Sequence, residues 1–88
     1  MKTTFRKSFT RDLKKVKDQA LLTRIKQAIE SVQSAASLKE ISNLKKLTGG
    51  DNYFRIRVGE YRVGVILEQG TVDFVRCLHR RDLYRFFP

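Results

Sequence analysis

Tyr53-Phe54-Arg55-Ile56-Arg57-Val58-Gly59-Glu60-Tyr61-Arg62 is the stretch whose reading decides the fold. Its side chains alternate. Phe54, Ile56 and Val58 point one way and Tyr53, Arg55 and Arg57 the other, the pattern of a strand with one buried face. Gly59-Glu60 follows with glycine first, the signal of a type II′ hairpin turn. Such a turn sets the register: 58 faces 61, 57 faces 62, 56 faces 63 and 55 faces 64. One face then collects Phe54, Ile56, Val58, Tyr61, Val63 and Val65, and the other collects Arg55, Arg57 and Arg62. Arg57 stands directly across from Arg62, and like charges in that relation destabilise a sheet. A solvated face would tolerate them; a bound polyanion would explain them. Gly64, opposite Arg55, is expected to leave a hollow on that face where a ligand backbone can approach.

Eighty-eight residues make one domain, residues 1–88, with 41% hydrophobic residues for a single modest core. Nineteen Lys and Arg against nine Asp and Glu leave a net charge of +10. That excess suits nucleic acid, an anionic membrane surface or an acidic protein. Up to Asn52 the cations are mostly lysine, whereas all seven from Tyr53 onward are arginine. The planar guanidinium fork is the better fixed phosphate ligand, so the site is expected in the C-terminal part. The lone cysteine, Cys77, excludes an internal disulfide and reads as a small core residue. No Cys/His spacing suggests zinc, no Gly-rich phosphate loop occurs, and no cofactor is expected. Without an apolar run of spanning length or a signal-peptide pattern, no membrane role is expected and a cytoplasmic location follows.

Working outward, Lys2 to Arg6 reads as an opening strand. Ser8 is placed as the cap of a first helix with the stripe Phe9, Leu13, Val16 and Ala20, and Lys14 and Lys15 on its other face. Asp18 is placed as the cap of a second helix with the stripe Leu21, Leu22, Ile25, Ala28, Ile29 and Val32, ending by Ser34 to Ser37. The short link makes the two an antiparallel helical hairpin. Leu38, Ile41, Leu44 and Leu47 recur by threes and are expected to lie along the packed surface, before a Gly49-Gly50-Asp51-Asn52 loop. After the hairpin, Gln69-Gly70 turns the chain into a third strand, Thr71 to Leu78. With a two-residue loop, Val72, Phe74 and Leu78 join the apolar face, and Val75, Cys77 and His79 share the arginine face. A bulge would swap those phases. In that register Arg76 falls on the apolar face and must snorkel or signal a shift. Leu83 with Phe86 or Phe87 anchors a final helical turn. The fold class is a small α+β domain of order β-α-α-β-β-β with an antiparallel meander.

This order, together with Leu-Lys-Lys-Leu-Thr-Gly before the hairpin, the hairpin itself and the ending His79-Arg80-Arg81-Asp82-Leu83-Tyr84, resembles the RelE/ParE superfamily of bacterial and archaeal toxins. The Arg-x-Arg-x-Gly-x-Tyr-Arg hairpin and the terminal His-Arg-x-x-x-Tyr are similar to the RelE branch. The resemblance implies a ribosome-dependent endoribonuclease that cuts messenger RNA in the ribosomal A site. It also implies neutralisation by an acidic antitoxin, with operator DNA met only indirectly through that antitoxin. Carried over, the family's basic positions fall on Arg55 and Arg57, its arginine after the turn tyrosine on Arg62, its last-strand arginine on Arg80 and its C-terminal tyrosine on Tyr84. The implied reaction is metal-independent transesterification by the 2′-hydroxyl. Several relatives place lysine at the position of Arg55, and arginine is a poor proton acceptor. Either proton transfer matters little or His79, the one histidine, serves as acid or base; the alternative for His79 is a hydrogen-bonded imidazole at a strand end. Lys14, Lys15, Arg81 and Arg85 are expected to attract nucleic acid. Two other readings stay open: a ParE-like inhibitor of DNA gyrase, and a degenerate toxin acting mainly in an autorepressing complex.

Overall fold

The hairpin folds as its turn dictates. In the computed structural model, which describes residues 1–50 and 52–87, Gly59 adopts φ +58° while Glu60 stays at negative φ. That is the type II′ pattern. Asp51, expected in the loop before the hairpin, and Pro88 lie outside the described residues. Strands β3 (Tyr53–Val58) and β4 (Tyr61–Glu68) pair antiparallel with Ile56 opposite Val63, Arg55 opposite Gly64 and Arg57 opposite Arg62.

Around this ladder the elements run β1 (Lys2–Phe5), α1 (Lys7–Lys14), α2 (Gln19–Ser34), a 3-10 turn (Leu38–Glu40), β2 (Leu44–Lys46), β3, β4, β5 (Thr71–His79) and α3 (Arg80–Phe86). The sheet order is β1-β5-β4-β3-β2, with β1 parallel to β5 and the other neighbours antiparallel. Asp18 caps α2 as expected, accepting from the N–H groups of Ala20 and Leu21 at 3.0 and 3.2 Å. α1 packs against β5, and α2 against β3 and β1. Between helices and sheet lies the main core, with Phe9, Ile25, Val32, Ile56, Val63, Val72 and Phe74 at its centre.

Five expectations need correction. The stretch around Leu44 is not merely surface-lying: it forms β2 and adds an edge strand, with Leu44 opposite Ile56 and Lys45 opposite Arg55. Asn43, at φ +64°, turns the chain there, and its carbonyl accepts the Arg57 N–H at 3.1 Å. Ser8 does not cap α1. The cap position is Arg6, and the Ser8 hydroxyl donates to the Val75 carbonyl at 2.6 Å. Ala20 belongs to α2 rather than α1.

The fourth correction concerns β5. Its pairing with β4 shifts between Gly64 and Val65, so that Val75 is the extra residue of a bulge. Val72 and Phe74 keep the expected face. Beyond the bulge the phase inverts: Cys77 pairs with Val63 and His79 with Tyr61 on the helix-facing side, while Leu78 pairs with Arg62 on the arginine side. Arg76 therefore leaves the apolar face and binds the buried Asp12 of α1 through Nε at 2.8 Å and Nη2 at 3.2 Å. The Cys77 N–H donates to the same carboxylate at 2.9 Å. One face of α1 thus staples the bulge at two points a helical turn apart, Ser8 and Asp12.

The fifth correction is at Gly64. The hollow exists, but the ring of Phe87 fills it; a Cβ at Gly64 would lie 2.9 Å from that ring. Phe87 and Leu83 form a second, smaller core with Leu47, Ile66 and Val75. So α3 covers part of the arginine face, and the rest stays open.

Candidate active site

The open part of that face carries the arginines. Arg62 is the best fixed: its Nη1 donates to the carbonyls of Gly59 at 2.9 Å and Tyr61 at 3.0 Å, so the turn itself aims the guanidinium. Its pKa is lowered, first by burial and then by the charge of Arg55, with Arg57 and Arg80 acting in the same sense and the Tyr84 phenol opposing. Even lowered, an arginine remains a cation. The mutual influence matters more than the shift: Arg55, Arg57, Arg62, Arg80 and Tyr84 share one electrostatic neighbourhood, although they come from three separate elements.

Each member is held differently. Arg55 donates through Nη1 to the Asn43 carbonyl at 2.7 Å, and its buried Nε has no partner among the described residues. Arg57 is exposed. Arg80 is tied to the hairpin turn twice, by its N–H to the Glu60 carbonyl at 2.8 Å and by Nε to the Glu60 carboxylate at 2.9 Å. Tyr84 stands one turn along α3 and is 61% exposed, free to meet a ligand rather than packed as a core aromatic. Such a cluster can stabilise an oxyanion by preorganised charge but offers little to accept a proton.

His79 lies elsewhere than expected. It sits on the helix-facing side, its ring edge-on to Tyr61 at 5.8 Å. Its Nδ1 accepts from the Arg81 N–H at 3.2 Å, which makes it the N-cap of α3, and from Arg81 Nε at 3.4 Å. The lone pair a base would use is thereby engaged in starting the helix that carries Arg80 and Tyr84. Arg81 and Arg85 are exposed on α3, Arg85 lying 5.5 Å over the Phe86 ring. Lys14 and Lys15 are exposed at the end of α1, and the cavity that Lys15 lines includes Asp12, Arg76 and His79 but none of Arg55, Arg57, Arg62 and Arg80. Cys77 is buried, and burial, aided by the Asp12 charge, pushes its thiol up to about 12, so it is inert.

Two contributors escaped the sequence reading. Lys45, exposed on β2 opposite Arg55, adds an ammonium to the same face. A three-residue strand leaves no readable periodicity. Glu60, read only as a turn residue, is the anchor of Arg80; its acidity beside so many arginines was the available signal. Among the described residues, no helix is long and apolar enough to cross a membrane.

Residues 4–84 match the family described as ParE toxin of type II toxin-antitoxin system, parDE. Along the whole chain, the sequence is 44% identical to Toxin RelE3 of Methanocaldococcus jannaschii, all of which is covered. The fold resembles a chain in the crystal structure of the RelB-RelE antitoxin-toxin complex from Methanococcus jannaschii, with TM-score 0.81 and 42% identity over 97% of this chain and 99% of that one. The YoeB dimer from Staphylococcus aureus shares the fold at TM-score 0.72 and 19% identity, over 91% of this chain and 97% of that one.

Proposed function

The chain belongs to the ParE toxin family of type II toxin–antitoxin systems, and to its RelE branch; from that premise we propose that it is a ribosome-dependent endoribonuclease that cuts messenger RNA in the A site. The observation that carries this reading is the convergence of Arg55, Arg57, Arg80 and Tyr84 on the turn-anchored Arg62. A protein that only bound another protein would have no need to crowd guanidiniums against their mutual repulsion.

In the proposed reaction the 2′-oxygen of the message attacks the adjacent phosphorus and the bond from phosphorus to the 5′-oxygen breaks. The products are a 2′,3′-cyclic phosphate and a 5′-hydroxyl end. The proton leaves the 2′-hydroxyl to water, and the 5′-oxygen regains one from water. Arg62 and Arg80 stabilise the crowded phosphorane, Arg55 and Arg57 hold the flanking backbone, and Tyr84 orients the nucleotide. His79 contributes as the cap of α3, setting Arg80 and Tyr84 in place. No metal enters this scheme. Lys14, Lys15, Arg81 and Arg85 meet ribosomal RNA in the cytoplasm. An acidic, partly disordered antitoxin neutralises the +10 chain and links it to operator DNA; a RelB-RelE complex is the precedent in the relative.

The test is cleavage of message on programmed ribosomes, with end mapping. Arg62→Ala and Arg80→Ala should each slow it by about two or more orders of magnitude. His79→Gln, which can still cap through its amide oxygen, should retain most of the rate. A wild-type protein that leaves ribosome-bound message intact and inhibits gyrase instead would replace this reading with the ParE-like one.

A further inference from the structure

β2 ends its pairing at Leu44 opposite Ile56, and at that edge of β3 the Asn43 carbonyl takes the Arg57 N–H just beyond the last strand pair. Around that edge, between α2 and the hairpin, lies a cavity of about 190 Å³. Arg24, Gln27 and Ser31 of α2 form one wall, Ser42 and Asn43 another, and Arg57 joins it to the arginine face. Among the described residues, no carboxylate lines it. Glu60, the acid of the adjacent turn, is taken by Arg80, and neither Arg24 nor Arg57 has an ion-pair partner among the described residues. The turn is also shaped to admit Arg24: a Cβ at Gly59 would lie 2.9 Å from Arg24 Nη1. Glycine there serves the positive φ and leaves the guanidinium its place.

We propose that this cavity is a second phosphate subsite, which takes a backbone phosphate of the RNA strand next to the one held on the arginine face. Two arginines among the lining residues, with the hydroxyls of Ser31 and Ser42, suit a phosphodiester, and the apolar Ile41, Ile56 and Val58 suit the face of a ribose. Arg57 would be shared by the two phosphates, which gives that exposed side chain a position and a reason to stand against Arg62. The inference rests on the proposed reading that the ligand is RNA.

Two measurements on Arg24→Ala decide it, with Lys26→Ala as control. Lys26 is exposed on the same helix and does not line the cavity, so its loss removes one charge only. On programmed ribosomes, Arg24→Ala should raise the half-saturating toxin concentration about tenfold and leave the plateau rate unchanged. Arg24→Lys should restore part of the loss. For a single-stranded RNA with a 2′-deoxy nucleotide at the cut, the salt dependence of binding should flatten by about 0.7 in log–log slope, one phosphate contact. Lys26→Ala should do neither. Equal behaviour of Arg24→Ala and Lys26→Ala overturns the subsite. If wild-type protein cuts no programmed message, the reading of function falls, and the deoxy strand still decides the subsite by the same comparison.

Discussion

Strand β4 is paired on both edges, and its two ladders are built on different principles. Toward β3 the register is regular from Tyr53 to Val58 and follows from a turn two residues long. Toward β5 it is broken at Val65, and what holds the break comes from α1, more than sixty residues away in sequence: Ser8 on the Val75 carbonyl and Asp12 on Arg76 and the Cys77 N–H. A turn specifies register locally, since the residues that choose it adjoin those it pairs. A bulge specified by a helix is visible only once the helix has docked.

Removing Asp12 is the severest test of the second ladder. Its carboxylate is 5% exposed and takes three donors, and without it the Arg76 guanidinium and the Cys77 N–H lose their acceptor. Asp12→Ala should destabilise the fold by about 3 kcal/mol, the low end for a broken buried pair, because Arg76 is 25% exposed and can turn to water. Urea unfolding measures it. A loss below about 0.5 kcal/mol would mean that the bulge is intrinsic to β5.

On the regular ladder the matching probe is Ile56, 3% exposed in the main core. Ile56→Ala should cost about 2–5 kcal/mol. A smaller probe touches the seam between the ladders. Gly64→Ala places a methyl 2.9 Å from the Phe87 ring and should cost about 1–3 kcal/mol. Because Phe87 anchors α3, the same change should slow cleavage by moving Arg80 and Tyr84; unchanged cleavage would separate the helix from the site.

What was legible in the sequence divides along the same line. The hairpin register, the capping of α2 by Asp18 and the sorting of Phe54 to Val65 rest on neighbours in sequence and were all readable. The placements of Cys77, Leu78 and His79 required knowing that Ser8 and Asp12 face β5, and a lone Asp in a basic helix carries no mark of that. β2 was too short for periodicity. Of the candidate site, the three hairpin arginines were readable from alternation alone, whereas Arg80 and Tyr84 came only through resemblance. No local pattern says that α3 folds back over the face.

Alkaline pH probes the bulge through Cys77. Its thiol is held up to about 12, against roughly 8.5 for a free thiol. The native state therefore keeps the proton longer than the unfolded chain. This contribution is fully present below about pH 8.5 and is lost as pH rises toward 12, at up to about 1.4 kcal/mol per unit. Between pH 8 and 10, wild type should lose about 1–2 kcal/mol more stability than Cys77→Ala. Equal losses would show that the thiol is reachable and the second ladder loose.

The smallest expected effect on stability is at Arg57, and it separates packing from function. Arg57 is exposed and stands directly across from Arg62, so the folded state carries a like-charge pair that the unfolded chain does not. Its side chain appears in no hydrogen bond or ion pair among the described residues, and it belongs to neither core, so alanine there leaves the core intact. Arg57→Ala should leave the melting temperature unchanged or raise stability by a few tenths of a kcal/mol, by about the amount that opposed like charges cost on a sheet. Cleavage on programmed ribosomes should fall all the same, because the backbone phosphates lose a ligand. A stable but slow Arg57→Ala beside an unstable Ile56→Ala fixes which face of the hairpin builds the fold and which meets the substrate. The opposite pair, Arg57→Ala melting early beside an indifferent Ile56→Ala, would reverse the two faces and remove the arginine row from the site.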